Sequence, residues 1–154
     1  GTLHPVYRGV KQGPATVMLD YSPAGVTGKI MMSGQVMPIS AELEAPVFGS
    51  DAGLDVVLCA LPLETGYKTT LRTFDVMSSA AQVFVLEVTG IENVTVPAGT
   101  YEAFKLELRQ MDGSPGGGTV YVRTGDKRYV VRSVMQLPAM AGGGTVTTEL
   151  KSVK

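Results

Sequence analysis

The chain has 154 residues and a net charge of −1, with 44% hydrophobic and 18% charged residues. This length predicts one domain over residues 1–154, and the composition is that of an ordered protein. The chain has no basic field to hold a phosphate backbone, and no apolar run approaches the roughly 18 residues of a membrane span. We therefore expect neither a nucleic-acid partner nor a membrane span.

The first residue is Gly1 rather than Met, and no signal peptide follows it. This start predicts a fragment trimmed from a larger exported protein, with a leader or upstream domains removed. Cys59 is the single cysteine, so no internal disulfide is expected, and the count is neutral about the compartment.

The N-terminal third contains four predicted strands, of which the last two form a hairpin. Short β-like runs, punctuated by Gly-Pro, Ser-Pro-Ala-Gly and Ser-Gly turn signals, indicate four strands. The predicted hairpin turns at Ser33-Gly34. The predicted strands are Val6–Lys11, Ala15–Tyr21, Val26–Met32 and Gln35–Leu43.

One short helix is predicted over residues 50–61. Ser50 or Asp51 can cap its start, and Pro62 ends it. Apolar residues spaced i, i+3, i+4 and i+7 give it one buried face. That face comprises Leu54, Val57, Leu58 and Leu61.

The rest of the chain reads as strand after strand. About ten strands and one helix predict a mainly β fold, an antiparallel curved sheet or a barrel-like half-barrel. The predicted strands are Tyr67–Phe74, Gln82–Thr89, the two arms of a hairpin within Val94–Leu108, Thr119–Arg123, Arg128–Leu137 and Thr145–Val153.

The stretch "VTVPAGTYEAFKLEL", Val94–Leu108, predicts a hairpin with a three-residue loop and a glycine bulge at Gly99. In that register facing positions sum to about 196, so Val88 lies near Leu108. Because side chains alternate, one face of the hairpin is apolar on both arms. The predicted inward residues are Phe84, Leu86, Val88, Val94, Val96, Phe104, Leu106 and Leu108.

Glu92 breaks this pattern, because it shares the inward side and lies opposite Phe104 in the predicted register. A buried carboxylate without a partner is costly. Either a bulge at Gly90 turns Glu92 outward, or Glu92 pairs inside with an arginine or with backbone N–H groups. A ligand-binding Glu92 is the functional alternative to these scaffold roles.

No catalytic constellation is visible. The only histidine is His4, and a Cys59–His4 pair has no encoded spacing. Zinc, calcium and phosphate-loop patterns are missing from the sequence, so we expect no enzyme activity, metal or cofactor. The cluster of Met31, Met32 and Met37 fits either a plastic apolar site or core packing. The candidate ligand-binding residues are Glu92, Met31 and Phe104.

Three phrases carry a resemblance to a known family: Leu61–Tyr67, Gly90–Tyr101 and Tyr121–Val131. Together they resemble a bacterial family of exported domains of unknown function with a Val-Pro-Ala-Gly-Thr-aromatic hairpin motif. The resemblance implies a periplasmic or cell-surface β-sheet module, often the C-terminal module of a larger exported protein. It brings no catalytic residues with it.

Two functions follow as hypotheses. The first is a non-catalytic exported β-sheet domain that binds an apolar or extended ligand, or a partner protein. The alternative is a C-terminal accessory domain of a larger exported hydrolase or peptidase, with catalysis outside this chain. The expected partners are an apolar small molecule, a protein, or upstream domains of the same full-length protein.

Overall fold

The computed structural model describes residues 5–48, 52–76, 78–137 and 143–153. This part of the chain forms ten strands and one helix, and its strand pairings are antiparallel. The predicted mainly β fold with one short helix is therefore confirmed. In chain order the elements are β1 (Tyr7–Gln12), β2 (Ala15–Ser22), β3 (Gly25–Met32), β4 (Gln35–Glu42), α1 (Ala52–Ala60), β5 (Lys68–Asp75), β6 (Ala80–Val96), β7 (Gly99–Gln110), β8 (Gly117–Arg123), β9 (Val130–Gln136) and β10 (Thr145–Glu149).

The strands are shared between two sheets, one of four strands in the order β1-β2-β3-β4 and one of six in the order β10-β9-β8-β7-β6-β5. The chain also divides into two compact units, residues 1–53 with 72–82 and residues 54–71 with 83–154. The single domain predicted from the length stays a prediction.

The first unit contains the four-stranded sheet, in which each strand pairs with the next along the chain. The predicted turn at Ser33-Gly34 is confirmed, because Met32 pairs with Gln35 across it. One side of the sheet carries a buried cluster of apolar side chains. Its fully or nearly fully buried members are Leu19, Val26, Ile39, Val47 and Phe74.

Gly28 lies in the middle of this sheet, between Leu19 of β2 and Ile39 of β4. A Cβ atom at this position would overlap the Met18 carbonyl oxygen and crowd Leu19. The close approach of β2 and β3 therefore requires a residue without a side chain at position 28.

The second unit contains α1, which spans Ala52–Ala60 against the predicted 50–61. Val57 and Leu58 of the predicted apolar face are buried, and Leu54 and Leu61 are half-buried, as an amphipathic helix requires. The predicted capping residues Ser50 and Asp51 lie outside the described residues.

The β6–β7 hairpin differs from the predicted register. Val96 pairs with Gly99, so the loop consists of Pro97 and Ala98 alone, and Gly99 belongs to β7. The predicted pairing of Val88 with Leu108 is wrong, because Val88 pairs with Leu106. The reason is local, since the shorter loop and a bulge in β6 both shift the register.

That bulge lies at Thr89, between the pairs Val88–Leu106 and Gly90–Lys105. An extra residue in one strand interrupts the alternation of side chains. Val88 and Val94 are both buried, yet the register places them on opposite faces of the sheet. The prediction of a single inward face along the whole hairpin is therefore wrong.

The two apolar groups beside the bulge have different neighbours. Beyond the bulge, next to the turn, a small cluster forms on one face. Before the bulge, the opposite face carries a second buried set. The first cluster is Val94, Val96, Ala103 and Val131, flanked by Tyr101, Tyr121 and Tyr129; the second set is Leu86, Val88, Leu106, Leu108, Val120 and Val122.

Candidate functional site

Glu92 is exposed at the surface of β6. It pairs across the strands with Ala103 rather than lying opposite Phe104, and its Oε1 lies 3.3 Å from Nζ of Lys105. The bulge at Thr89 places Glu92 on the face opposite Val88, but on the same face as buried Val94. The Glu92 side chain is nevertheless exposed, so the predicted internal ion pair is wrong. The hydrogen bond and the negative charge of Glu92 are the leading causes that raise the pKa of Lys105.

Glu92 belongs to a charged face made of cross-strand ion pairs. Glu87 binds Lys68 at 3.2 Å and Arg109 at 3.3 Å on the same six-stranded sheet. Opposite charges on facing strands stabilise a sheet, each pair contributing up to about 1 kcal/mol. The part of this face that carries Glu92 and Glu87 is therefore solvated, whereas Val94 on the same face is buried next to the turn.

Phe104 lies on the other face of the six-stranded sheet, because it alternates with Ala103, the cross-strand partner of Glu92. Its half-buried ring is covered by the guanidinium of Arg128, whose Cζ lies 5.7 Å from the ring centroid. Met31 is half-buried in β3 of the four-stranded sheet, in the other compact unit. The three candidate residues do not share a site in either unit, and their ligand-binding roles stay predictions.

The four-stranded sheet carries an apolar row that the sequence did not reveal as a unit. Consecutive pairings join Val10 to Val17, Val17 to Ile30 and Ile30 to Met37, one residue from each strand. The alternation of side chains places this apolar row on the same side as buried Leu19. The apolar row thus extends the buried cluster across the width of the sheet.

The apolar row is only partly covered. Val17 and Ile30 are half-buried, whereas 36% of Val10 and 43% of Met37 is exposed. Met32, two residues from Ile30 on the same side, is 49% exposed. Soft methionine side chains at the margin of an apolar surface can adapt to ligands of different shape.

The opposite side of the same sheet has a different character. Its side chains include Asp20, Thr27, Lys29 and Ser40, which lie among the apolar Met18, Val36 and Pro38. Met31 lies on this polar side, where it pairs with Val36. The structure thereby separates Met31 from Met32 and Met37, which the sequence had grouped together.

A cleft lies in the second unit between the end of α1 and the loop that joins β8 to β9. Its volume is about 510 Å³. The lining residues are Val56, Cys59, Ala60, Gly125, Asp126 and Arg128.

Cys59 is half-buried in this cleft. Burial, and then the charge of Asp55, raise the pKa of the Cys59 thiol, and the guanidinium of Arg128 opposes them. A thiol with a raised pKa is mostly protonated near neutral pH and is a poor nucleophile. His4, the other member of the weighed Cys59–His4 pair, lies outside the described residues.

Two further findings concern the described residues alone. They contain no group of three or more His, Cys, Asp or Glu side chains placed to hold a metal ion. None of their helices has the length and apolar character needed to cross a lipid bilayer.

Comparison with known proteins gives one match. The sequence profile of a family described as "Protein of unknown function (DUF3108)" matches residues 1–151. Neither the curated proteins nor the solved structures contain a significant match. The matched segment includes both sheets and α1. The chain therefore belongs to the DUF3108 family of proteins of unknown function.

Proposed function

We propose that this chain is a non-catalytic binding module that is exported to the periplasm or cell surface. It takes an apolar or extended ligand, or an apolar segment of a partner protein, on the apolar row of the four-stranded sheet. The observation that carries the proposal is the partial exposure of Val10 and Met37 on the side of the sheet that is otherwise core.

An apolar surface that continues a buried core has an energetic reason to be covered. Full burial of a valine or methionine side chain contributes roughly 1.5–3 kcal/mol. Covering the exposed parts of Val10, Met37 and Met32 would contribute about 1 kcal/mol each on this scale. Contiguous apolar surface of this kind is typical of interaction sites.

The shape of the row favours an extended occupant. It crosses four adjacent strands, which are spaced about 4.8 Å apart, so its length is on the order of 14 Å. An alkyl chain or the apolar side of a peptide can lie along such a row. On the opposite side of the sheet, Lys29 and Asp20 interrupt the apolar residues.

A neutral apolar dye tests this assignment. Nile red fluorescence, titrated with the whole chain, gives a dissociation constant for the apolar surface. Met37→Gln removes apolar surface in the row, and we expect it to weaken binding roughly fivefold, the factor that corresponds to a loss of about 1 kcal/mol. Met37→Gln and the control Val36→Gln should both keep the melting temperature of the parent, because 43% of Met37 and 59% of Val36 is already exposed.

Val36→Gln is the matched control. Val36 precedes Met37 in β4, is 59% exposed, and points to the polar side of the sheet. We expect its dissociation constant for Nile red to equal that of the parent. Equal losses in the two variants, or an unchanged constant in Met37→Gln, would contradict the assignment. A loss in Met31→Gln alone would move the site to the polar side.

Export rests on the family resemblance of the three sequence phrases. Fractionation of a bacterium that encodes this chain, with an antibody against it, is the direct measurement. We expect the chain in the periplasmic or surface fraction, and a purely cytoplasmic signal would contradict this part of the proposal.

A further inference from the structure

We propose that the cleft between the end of α1 and the β8–β9 loop binds the carboxylate or phosphate group of a small ligand, and that Arg128 is the residue that holds this group. The proposal is independent of the one above, because it concerns the other compact unit and a different chemistry.

Arg128 is held in place by the protein. Its Nη1 donates a hydrogen bond to the carbonyl oxygen of Leu61, at 2.5 Å, and its guanidinium lies over the ring of Phe104. These two contacts orient the guanidinium before any ligand arrives. A guanidinium carries five N–H donors in a fixed plane, and the hydrogen bond to Leu61 uses one of them.

The charge of Arg128 has no acidic partner in the described part of the chain. Arg109 and Arg132 each form an ion pair, with Glu87 and Glu149, whereas no described carboxylate forms one with Arg128. Arg128 is also half-buried, so that its field is less screened than that of a fully exposed arginine. Carboxylate and phosphate oxygens are the groups that match the geometry of such a guanidinium.

The other lining residues of the cleft limit the chemistry of the rest of the ligand, beyond its carboxylate or phosphate group. Val56 and Ala60 of α1 supply apolar walls beside the guanidinium, suited to a short carbon skeleton. Asp126 lines the same cleft and is exposed. Its negative charge opposes an anionic ligand, so its removal should strengthen binding.

Cys59 provides a reporter inside the cleft, because it is the only cysteine of the chain. Iodoacetate and iodoacetamide both alkylate a thiolate with loss of iodide, and they differ in charge. The charge of Asp55 repels anions from Cys59 and that of Arg128 attracts them. The effect of Arg128 is therefore measured between variants: the iodoacetate-to-iodoacetamide rate ratio of Cys59 should be higher in the parent chain than in Arg128→Gln. A unit charge about 4 Å away in water changes such a ratio roughly fivefold.

Three variants of the full chain make the test specific. Arg128→Gln should lower the iodoacetate-to-iodoacetamide rate ratio of Cys59, and Asp126→Asn should raise it. Arg123→Gln is the matched control, because Arg123 also donates to a backbone carbonyl, that of Lys127, and lies 5.5 Å from the Tyr129 ring centroid, yet does not line the cleft. Arg123→Gln should leave the rate ratio unchanged.

Protection by ligands is the second measurement. Phosphate or acetate, added at constant ionic strength, should slow the alkylation of Cys59 in the parent chain and not in Arg128→Gln. The more effective of the two anions identifies the group that the cleft prefers. The proposal is overturned if neither anion protects more than chloride does, or if Asp126→Asn leaves the rate ratio of the parent unchanged. Asp126→Asn keeps the test valid if Arg128→Gln destabilises the end of α1.

Discussion

Lys105 and Glu92 form a cross-strand ion pair on the exposed face of β6 and β7, with 3.3 Å between Nζ and Oε1. Both side chains are partly in water, since 30% of the lysine side chain and 49% of the glutamate side chain is exposed. Exposed pairs of this kind contribute little to stability. Glu92 is thus one of two carboxylates that contact Lys105 on this surface.

The first prediction concerns Glu92→Gln. We expect the free energy of unfolding to change by no more than about 0.5 kcal/mol, because the pair is exposed and Lys105 keeps a second contact with Glu107. Urea melts of parent and variant measure this change. A loss above about 1 kcal/mol would contradict the exposed placement of Glu92.

Glu92→Gln should also change the pKa of Lys105 and therefore the pH dependence of stability. The pKa of Lys105 is raised in the folded state, so its contribution to stability is present below the unfolded pKa and is lost as the pH rises through the folded pKa. The affected window is therefore alkaline. In Glu92→Gln the pKa of Lys105 should fall toward its ordinary value, which an NMR titration of the lysine side-chain signals can follow.

A second prediction concerns Gly28. Gly28→Ala should lower the free energy of unfolding by about 2 kcal/mol or more, because the added Cβ overlaps the Met18 carbonyl oxygen and strands β2 and β3 must separate. Gly53→Ala is the control, since a Cβ there meets nothing within 4 Å and alanine favours a helix. We expect the control to be neutral or stabilising by up to about 1 kcal/mol. Equal effects of the two substitutions would show that the close approach at Gly28 is not present.

A third prediction concerns the reactivity of Cys59. Because the charge of Asp55 helps to raise the pKa of this thiol, Asp55→Asn should lower it and increase the thiolate fraction at pH 8. The pH profile of alkylation by iodoacetamide should shift toward acid. Glu64→Gln, which removes a carboxylate from the exposed segment after α1, should leave the profile unchanged. A profile identical in parent and Asp55→Asn would refute the assigned cause.

A fourth prediction concerns the edge strand β10. Glu149 Oε1 accepts hydrogen bonds from Nε and Nη2 of Arg132, and the same Nη2 donates to the Thr95 carbonyl oxygen. Glu149→Gln weakens the connection between β10 and β9, so amide hydrogen exchange over Thr145–Glu149 should become faster. Global stability should change by no more than about 0.5 kcal/mol, because opening is local.

The comparison variant for β10 is Glu87→Gln. It removes a carboxylate of the same sheet that is bound to Lys68 and Arg109, away from β10. Exchange in β10 should not respond to it. If exchange in β10 is equally fast in both variants, the Arg132–Glu149 pair does not hold the edge.

The strands and α1 were predictable because local pattern determines them. Leu58 and Leu86 follow apolar periodicities that are read within one element, and both are fully buried. The register of β6 against β7 was not predictable from the sequence. It depends on whether Gly99 belongs to the loop or to the strand, and on an extra residue at Thr89. A turn signal alone fixes neither.

The candidate sites were less accessible to sequence reasoning. The apolar row joins Val10, Val17, Ile30 and Met37, and only the observed register shows that these four residues are neighbours. Arg128 is held at the cleft by a hydrogen bond to the carbonyl oxygen of Leu61, which is 67 positions away in the chain. No spacing rule connects the two residues. Glu92 attracted interest through its position in a predicted inward row. It still shares a face with buried Val94, and only the structure shows that its own side chain is exposed.

The bulge in β6 also limits how this chain can vary. A strand that presents apolar residues to one side before Thr89 and to the other side after it cannot tolerate the loss or gain of a single residue within it. Deleting Thr89 would bring either Val94 and Val96 or Leu86 and Val88 out into water. Relatives of this protein should therefore differ in length in the connecting loops, and the seventeen positions of β6 should align without gaps.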